Sequence, residues 1–248
     1  MSLASLISIG AWLWMGLGAA AAGTPMNVGK PAAGHLVLTT ITPRGNQYQA
    51  FPYEPRAGDI LLYDDFNKFH HFVYKLAKTA GPTHIAMVIN RPDGTPALLE
   101  LTGPQVATAK VCIIDIMPRL TTYPGTVMVR RLREPLSAER SNDLYQFAQS
   151  QAGRSFALGR IIFQGSPLGA HNASAMRREL LGKTHFHRHR WYCSEIMVAA
   201  GTKAGIFNPR TMPANSTFPR DLAYDETLDL SPRYHPPLPW ITDPAILK

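Results

Sequence analysis

From residue 35 to residue 132 the chain alternates short apolar runs with clusters of turn-forming residues. The runs are 35–41 (HLVLTTI), 59–63 (DILLY), 84–89 (HIAMVI), 97–102 (ALLELT), 110–116 (KVCIIDI) and 126–132 (TVMVRRL). Each has strand length and is rich in Val, Ile, Leu or Thr, so each predicts a strand. The runs at 84–89 and 97–102 flank Asp93-Gly94, which predicts a hairpin. Helical spacing appears at 66–80, where Phe69, Phe72, Val73 and Leu76 recur before Gly81-Pro82 ends the pattern. It returns at 137–152, opened by Ser137-Ala138-Glu139 and stopped by Gly153, and in a shorter stretch at 174–182. In the last apolar segment Cys193, Ile196, Met197 and Ala200 fall at i, i+3, i+4 and i+7, one face of a helix running to Gly205. Short strands in the middle third and helices after them predict an α+β protein, with a small antiparallel sheet or barrel packed against helices.

The two ends differ from this middle. No charged side chain precedes Lys30, and LASLISIGAWLWMGLGAAAAG is continuous apolar and small residue. That stretch is close to bilayer-spanning length, ends in alanines and lacks a positive flank. A cleaved export signal, an uncleaved N-terminal anchor and a buried helix all fit it. Either of the first two places the rest outside the cytoplasm, exported or membrane-anchored. The last 40 residues hold 8 of the 21 prolines, so the tail is expected to be extended and to wrap the surface rather than to pair. The resulting partition is 1–23 signal or anchor, 24–50 linker and first strand, 51–225 one catalytic-sized domain, and 226–248 tail.

Composition narrows the partners. The formal net charge is +8, which favours an acidic partner or anionic surface. The positive residues are scattered and carry no nucleic-acid motif, so nucleic acid is not expected as a partner. No HExxH, Walker loop, GxGxxG or GxSxG occurs, which leaves metalloprotease, NTPase, dinucleotide and serine-hydrolase readings without support. Two cysteines, Cys112 and Cys193, could form one disulfide in an exported protein.

The candidate chemistry centres on HRHRWYCSEIMVAA, residues 187–200. Cys193 opens its helix there, after a basic stretch. Unpaired amides and the positive dipole end favour a thiolate, the form that acts as nucleophile. A cysteine on an apolar face is also an ordinary core residue. A nucleophilic cysteine needs a base in hydrogen-bond reach and a third group to orient the base. His84 opens one strand of the expected hairpin and Glu100 lies near the end of the other, so the pairing brings them together. Cys112, within VCIIDI, reads as a buried structural thiol.

The run HFHRHR, 185–190, puts three histidines at alternate positions, as a zinc site in an extended segment would. No further ligand has matching spacing, and the interleaved arginines repel a cation. The run is therefore read as a solvated basic loop flanking the cleft, where Arg188 and Arg190 attract a carboxylate or phosphate of the substrate. Glu195 falls in the first helical turn, where the dipole alone accounts for an acid.

The ordered set Gly58-Asp59-Ile60-Leu61, Thr83-His84-Ile85-Ala86-Met87-Val88, Leu98-Leu99-Glu100 and Trp191-Tyr192-Cys193-Ser194-Glu195-Ile196 resembles the permuted NlpC-type papain-like hydrolases. Within them it looks most like the YiiX/YaeF group, in which the cysteine helix follows the histidine strand. The same scheme is shared by the lecithin:retinol acyltransferase-like enzymes. The resemblance spans residues 55–225, and its pieces are short.

It implies a circularly permuted papain-like fold, with Cys193 as nucleophile, His84 as base and Glu100 as orienting acid. It further implies oxyanion donors from the Cys193 amide and a polar neighbour, for which Tyr192 and Tyr63 are candidates. No cofactor and no metal are implied. The expected activity is cleavage of an amide bond through a thioester, in a cell-wall or small γ-linked peptide. A lipid acyltransferase or thioesterase, a non-catalytic ligand-binding module and a metal-binding protein are the alternatives. The expected partners are a peptide or lipid-like substrate with an acidic group, and a membrane through the N-terminal segment.

Overall fold

The computed structural model describes residues 32–65, 80–105, 108–166 and 183–247. The N-terminal apolar segment, the helix expected at 66–80 except for its last residue, and the short helix expected at 174–182 lie outside the described residues.

Every strand expected from the apolar runs is present. They are β1 (His35–Thr42), β3 (Ile60–Asp64), β4 (His84–Asn90), β5 (Pro96–Thr102), β6 (Lys110–Asp115) and β7 (Thr126–Arg130). Strands β3, β4 and β5 are buried along nearly their whole length because helices or other chain cover both faces. Ile60, Leu62, Ile85, Met87 and Leu99 enter one core, whereas Leu61, Tyr63, Ala86, Val88 and Leu98 enter another on the opposite face. Double burial explains why these strands read as continuous apolar runs and not as alternating ones.

The sheet is larger than the small sheet or barrel expected. Among the described residues it has ten strands in the order β2-β1-β10-β7-β3-β4-β5-β6-β8-β9, with β2 and β9 at its ends. The additions are β2 (Gly45–Pro52), β8 (Ser155–Phe156), β9 (Arg190–Trp191) and β10 (Leu238–Ile241). All pairings are antiparallel except that of β8 with β9. Strand β2 escapes an apolar-run search because its sequence, GNQYQAFP, is mostly polar and exposed.

The proline-rich tail does not simply wrap the surface. Its residues β10 lie between β1 and β7, with Ile241 opposite His35 and Leu238 opposite Val129. Only two register pairs form on each side, so the donor missing at Pro239 costs little of the ladder. The approach to β10 is strapped by the fully buried Arg130. Its guanidinium donates to the carbonyls of Leu222, Ala223 and His235 and pairs with Asp225 at 2.6 Å.

Five α-helices, α1 (Ile116–Thr122), α2 (Ala138–Gln151), α3 (Leu158–Gly165), α4 (Cys193–Lys203) and α5 (Pro219–Ala223), and two 3-10 turns, Ala214–Ser216 and Pro244–Leu247, complete the described chain. Ser137 caps α2, its hydroxyl accepting from the Arg140 amide, as its position predicts. Helix α4 is not amphipathic: every residue from Cys193 to Gly201 is buried. It is a central helix, enclosed by the sheet, α2 and the segment around α5.

The Gly58-Asp59 pair is part of this frame. Gly58 has φ +94°, which a side chain resists, and its amide donates to the Val88 carbonyl. The fully buried Asp59 carboxylate accepts from the amides of Arg56 and Leu132 and from the Tyr53 hydroxyl. Burial pushes Asp59 up to about 6 against those donors. The group thus ties β3 to the end of β7 without entering the candidate site. Replacing Asp59 by Ala strands two backbone donors, and urea unfolding is expected to register a loss of at least about 2 kcal/mol.

Candidate active site

Cys193 is the first residue of α4. Tyr192 precedes it as the N-cap, with extended backbone at φ −110° and ψ 164°. The Ser194 hydroxyl donates to the Thr217 carbonyl at 2.7 Å, which anchors the same turn to the segment before α5. Cys193 is buried in the larger core, yet its side chain is hydrogen-bonded to the His84 ring. Cys193 thus packs in the core and meets the imidazole at the same time. Neither Cys193 nor Cys112 is in a disulfide.

His84 begins β4, where the strand leaves the covered part of the sheet. Its Nε2 lies 3.0 Å from Glu100 Oε1. Alternation explains the meeting: Glu100 stands opposite Ala86, so it is the diagonal neighbour of His84 on the same face. With Nε2 turned to Glu100, Nδ1 is the ring atom left for the sulfur. Burial acts to lower the His84 pKa, but hydrogen bonds to Cys193 and Glu100 and the charge of Glu100 outweigh it. The imidazole is pushed up to about 9.

Glu100 is fully buried. Burial alone would raise its pKa, and its bonds to His84 and Arg119 overcome that and hold it below the usual carboxylate range. Arg119, on α1, is the residue sequence reasoning missed. Its Nε donates to Oε1 at 2.9 Å and to Oε2 at 3.0 Å, and its Nη2 donates to Oε1 at 2.6 Å. The guanidinium also lies against the rings of Tyr63 and Tyr123, 5.2 and 5.0 Å from their centroids. Pro118, in the first turn of α1, disguises a seven-residue helix as a loop. The missed signal was Glu100 itself, since a carboxylate in a run as apolar as ALLELT requires a cation close by.

The two oxyanion candidates fall in different places. Tyr192 donates its hydroxyl to the Ala214 carbonyl at 3.3 Å inside the core, so its phenol is turned to a structural bond. Tyr63 stacks on the His84 ring with centroids 5.6 Å apart. Its hydroxyl is buried without a hydrogen-bond partner among the described residues, and burial, then the Glu100 charge, keep it protonated. Tyr63 serves as a wall against which the imidazole is held.

The basic run is less solvated than its composition suggests. Arg188 Nε lies 2.9 Å from Glu195 Oε1, and Arg160 of α3 reaches Glu195 Oε2 at 3.1 Å. Glu195 is fully buried, so its place in the first turn is explained by two arginines and not by the helix dipole alone. Arg190 begins β9 and is exposed. Among the described residues no three His, Cys, Asp or Glu side chains gather as metal ligands would.

His84 carries a testable linkage. Its pKa rises on folding from 6.5 to about 9, so the stability it contributes is complete below pH 6.5 and is lost as pH climbs to about 9. Replacing Glu100 by Gln removes the carboxylate that holds the proton. Ring-proton NMR should then show the His84 titration moving down toward its ordinary range, and urea unfolding should show a flatter stability profile across that window.

No family model matches the chain, and no curated protein is similar to it in sequence. Four solved chains match it in structure. One is the metalloprotein YiiX from Escherichia coli O157:H7, 20% identical, with 61% of this chain and 67% of that chain covered at a TM-score of 0.40.

Proposed function

We propose that the chain is a cysteine-dependent hydrolase with a permuted papain-like arrangement, acting on an amide carbonyl. The observation that carries the reading is the hydrogen-bonded series Cys193, His84, Glu100, with the cysteine at the first position of a buried helix. Nucleophile, base and orienting acid are in contact in the order that acyl transfer requires.

The chemistry follows from that order. His84 takes the Cys193 thiol proton, the sulfur attacks the carbonyl carbon, and a C–S bond forms as the carbonyl oxygen takes up negative charge. The first amides of α4 face that charge with the positive end of the helix. The C–N bond then breaks, and the His84 imidazolium gives its proton to the departing nitrogen. Water, losing a proton to His84, attacks the thioester, releases the carboxylic acid and returns the sulfur. Glu100 holds the ring in one tautomer and balances its charge, and Arg119 holds Glu100.

An ester of a lipid-like acyl group is the second reading. It is favoured by Leu158, Ile162 and Phe163 of α3, which stand exposed on the helix that carries Arg160, near the basic run. In either case the substrate is a peptide or lipid-like molecule with an acidic group, met outside the cytoplasm if the N-terminal segment directs export.

The test is intact mass after incubation with cell-wall peptides and, separately, with phospholipids. An acyl adduct on the wild-type chain, absent from Cys193→Ala and His84→Ala, is the expected result, and its mass identifies the acyl group. Iodoacetamide near neutral pH should modify Cys193 ahead of Cys112, because burial and then the Glu100 charge push the Cys112 thiol up. Equal labelling of both, unaffected by His84→Ala, together with no adduct from any donor, would remove the proposal.

A further inference from the structure

Beside the start of α4 lies a cavity of about 500 Å3, and its polar side chains are Arg160, His187, Arg188, His189 and Arg190. No acid lines it. We infer that this cavity is an oxyanion subsite, built to take a carboxylate or phosphate group carried by the substrate. Its catalytic meaning rests on the hydrolase reading, whereas its ligand chemistry rests on these residues alone.

Three observations converge on an anion. The first is charge. Three guanidinium groups line the cavity and one carboxylate, Glu195, stands behind two of them, so the wall keeps a positive excess. Among the described residues Arg190 pairs with no carboxylate. The same field acts on nearby His185: burial first, then the charges of Arg188, Arg160 and Lys183, hold it below its ordinary value.

The second is preorganisation. Glu195, fully buried, holds Arg160 and Arg188 as ion pairs, with Arg160 Nη2 at 3.1 Å and Arg188 Nε at 2.9 Å from its two oxygens. Arg160 also donates to the Arg190 carbonyl, and Arg154 to the Arg188 carbonyl. The backbone bearing Arg188 and Arg190 is thus pinned to the β8–α3 segment, and β9 pairs with β8. A guanidinium held in place loses little entropy on binding, which is the condition for a planar fork to recognise an oxyanion. The third is an orphaned donor: Arg160 Nε is buried with no acceptor among the described residues.

The position relates the cavity to the nucleophile. Arg190 leads through Trp191 and Tyr192 straight into Cys193, an extended path of roughly 10 Å. That path is an upper bound on the Cα separation, so a substrate seated here would present its acidic group on the order of 10 Å from the carbonyl under attack. That spacing suits an acidic residue next to the scissile bond of a peptide, or a phosphate one short linker away from an acyl group.

Binding is measured on the full chain carrying Cys193→Ala, so that no turnover intervenes, by calorimetric titration with inorganic phosphate and with glutarate. One saturable site for either anion is expected, and preference between the two names the source. Arg190→Glu should weaken it at least about tenfold, the worth of one charge-assisted hydrogen bond. Arg188 and Arg160 support a buried carboxylate and their loss endangers folding, so the second variant is Arg188→Gln combined with Glu195→Gln, which removes the pair together and should also weaken binding. No saturable binding, or affinity unchanged in both variants, overturns the subsite. An acyl adduct without anion binding would overturn this inference alone, whereas anion binding with no adduct from any donor would leave the subsite standing and remove the hydrolase reading.

Discussion

A carboxylate buried in an apolar sheet is the constraint on which the rest of this structure turns. Glu100 has no exposure, and an isolated ion in such a place is prohibitively costly. Two partners from different elements meet that cost: His84 from the adjacent strand and Arg119 from α1. Arg119 contacts both carboxylate oxygens, so the group cannot swing, and the two tyrosines beside the guanidinium confine it further. The imidazole then inherits a fixed orientation on its Nε2 side and presents the other side to sulfur. Lysine in place of Arg119 would keep the charge but not the fork, and the orientation comes from the fork.

This arrangement reconciles two demands that pull apart. A thiol that opens a helix sits at its electropositive, polar end, and a helix as buried as α4 needs apolar surroundings. The chain separates them along the axis. Apolar side chains surround α4 from Ile196 onward, while the polar contacts gather at its first turn: the Ser194 hydrogen bond, the Glu195 ion pairs and the His84 contact of Cys193. Arginines appear twice as the means of stabilising a buried acid, at Glu100 and at Glu195.

Much of this was legible before any coordinates. Each apolar run became a strand within a residue or two, and the cysteine helix begins where its spacing placed it, because these segments are buried and their patterns answer only to burial. The pairing of His84 with Glu100 followed from a hairpin, a local contact. What escaped were features whose signal lies elsewhere in the chain. Arg119 has no motif of its own and is explained only by the acid it serves. Strand β2 is polar because the residues packed on it are few, and β10 is a strand because β1 and β7 leave a place for it, despite its prolines. Long-range pairing of this kind leaves no local trace.

The place of β10 also sets an order of events. The hairpin of β1 and β2 reaches the remaining strands solely across β10, among the described residues. A nascent chain that has already released that hairpin from the ribosome must hold it without its neighbour until residues 238–241 emerge. The part synthesised early is therefore docked late, and it spends the interval with an unpaired edge.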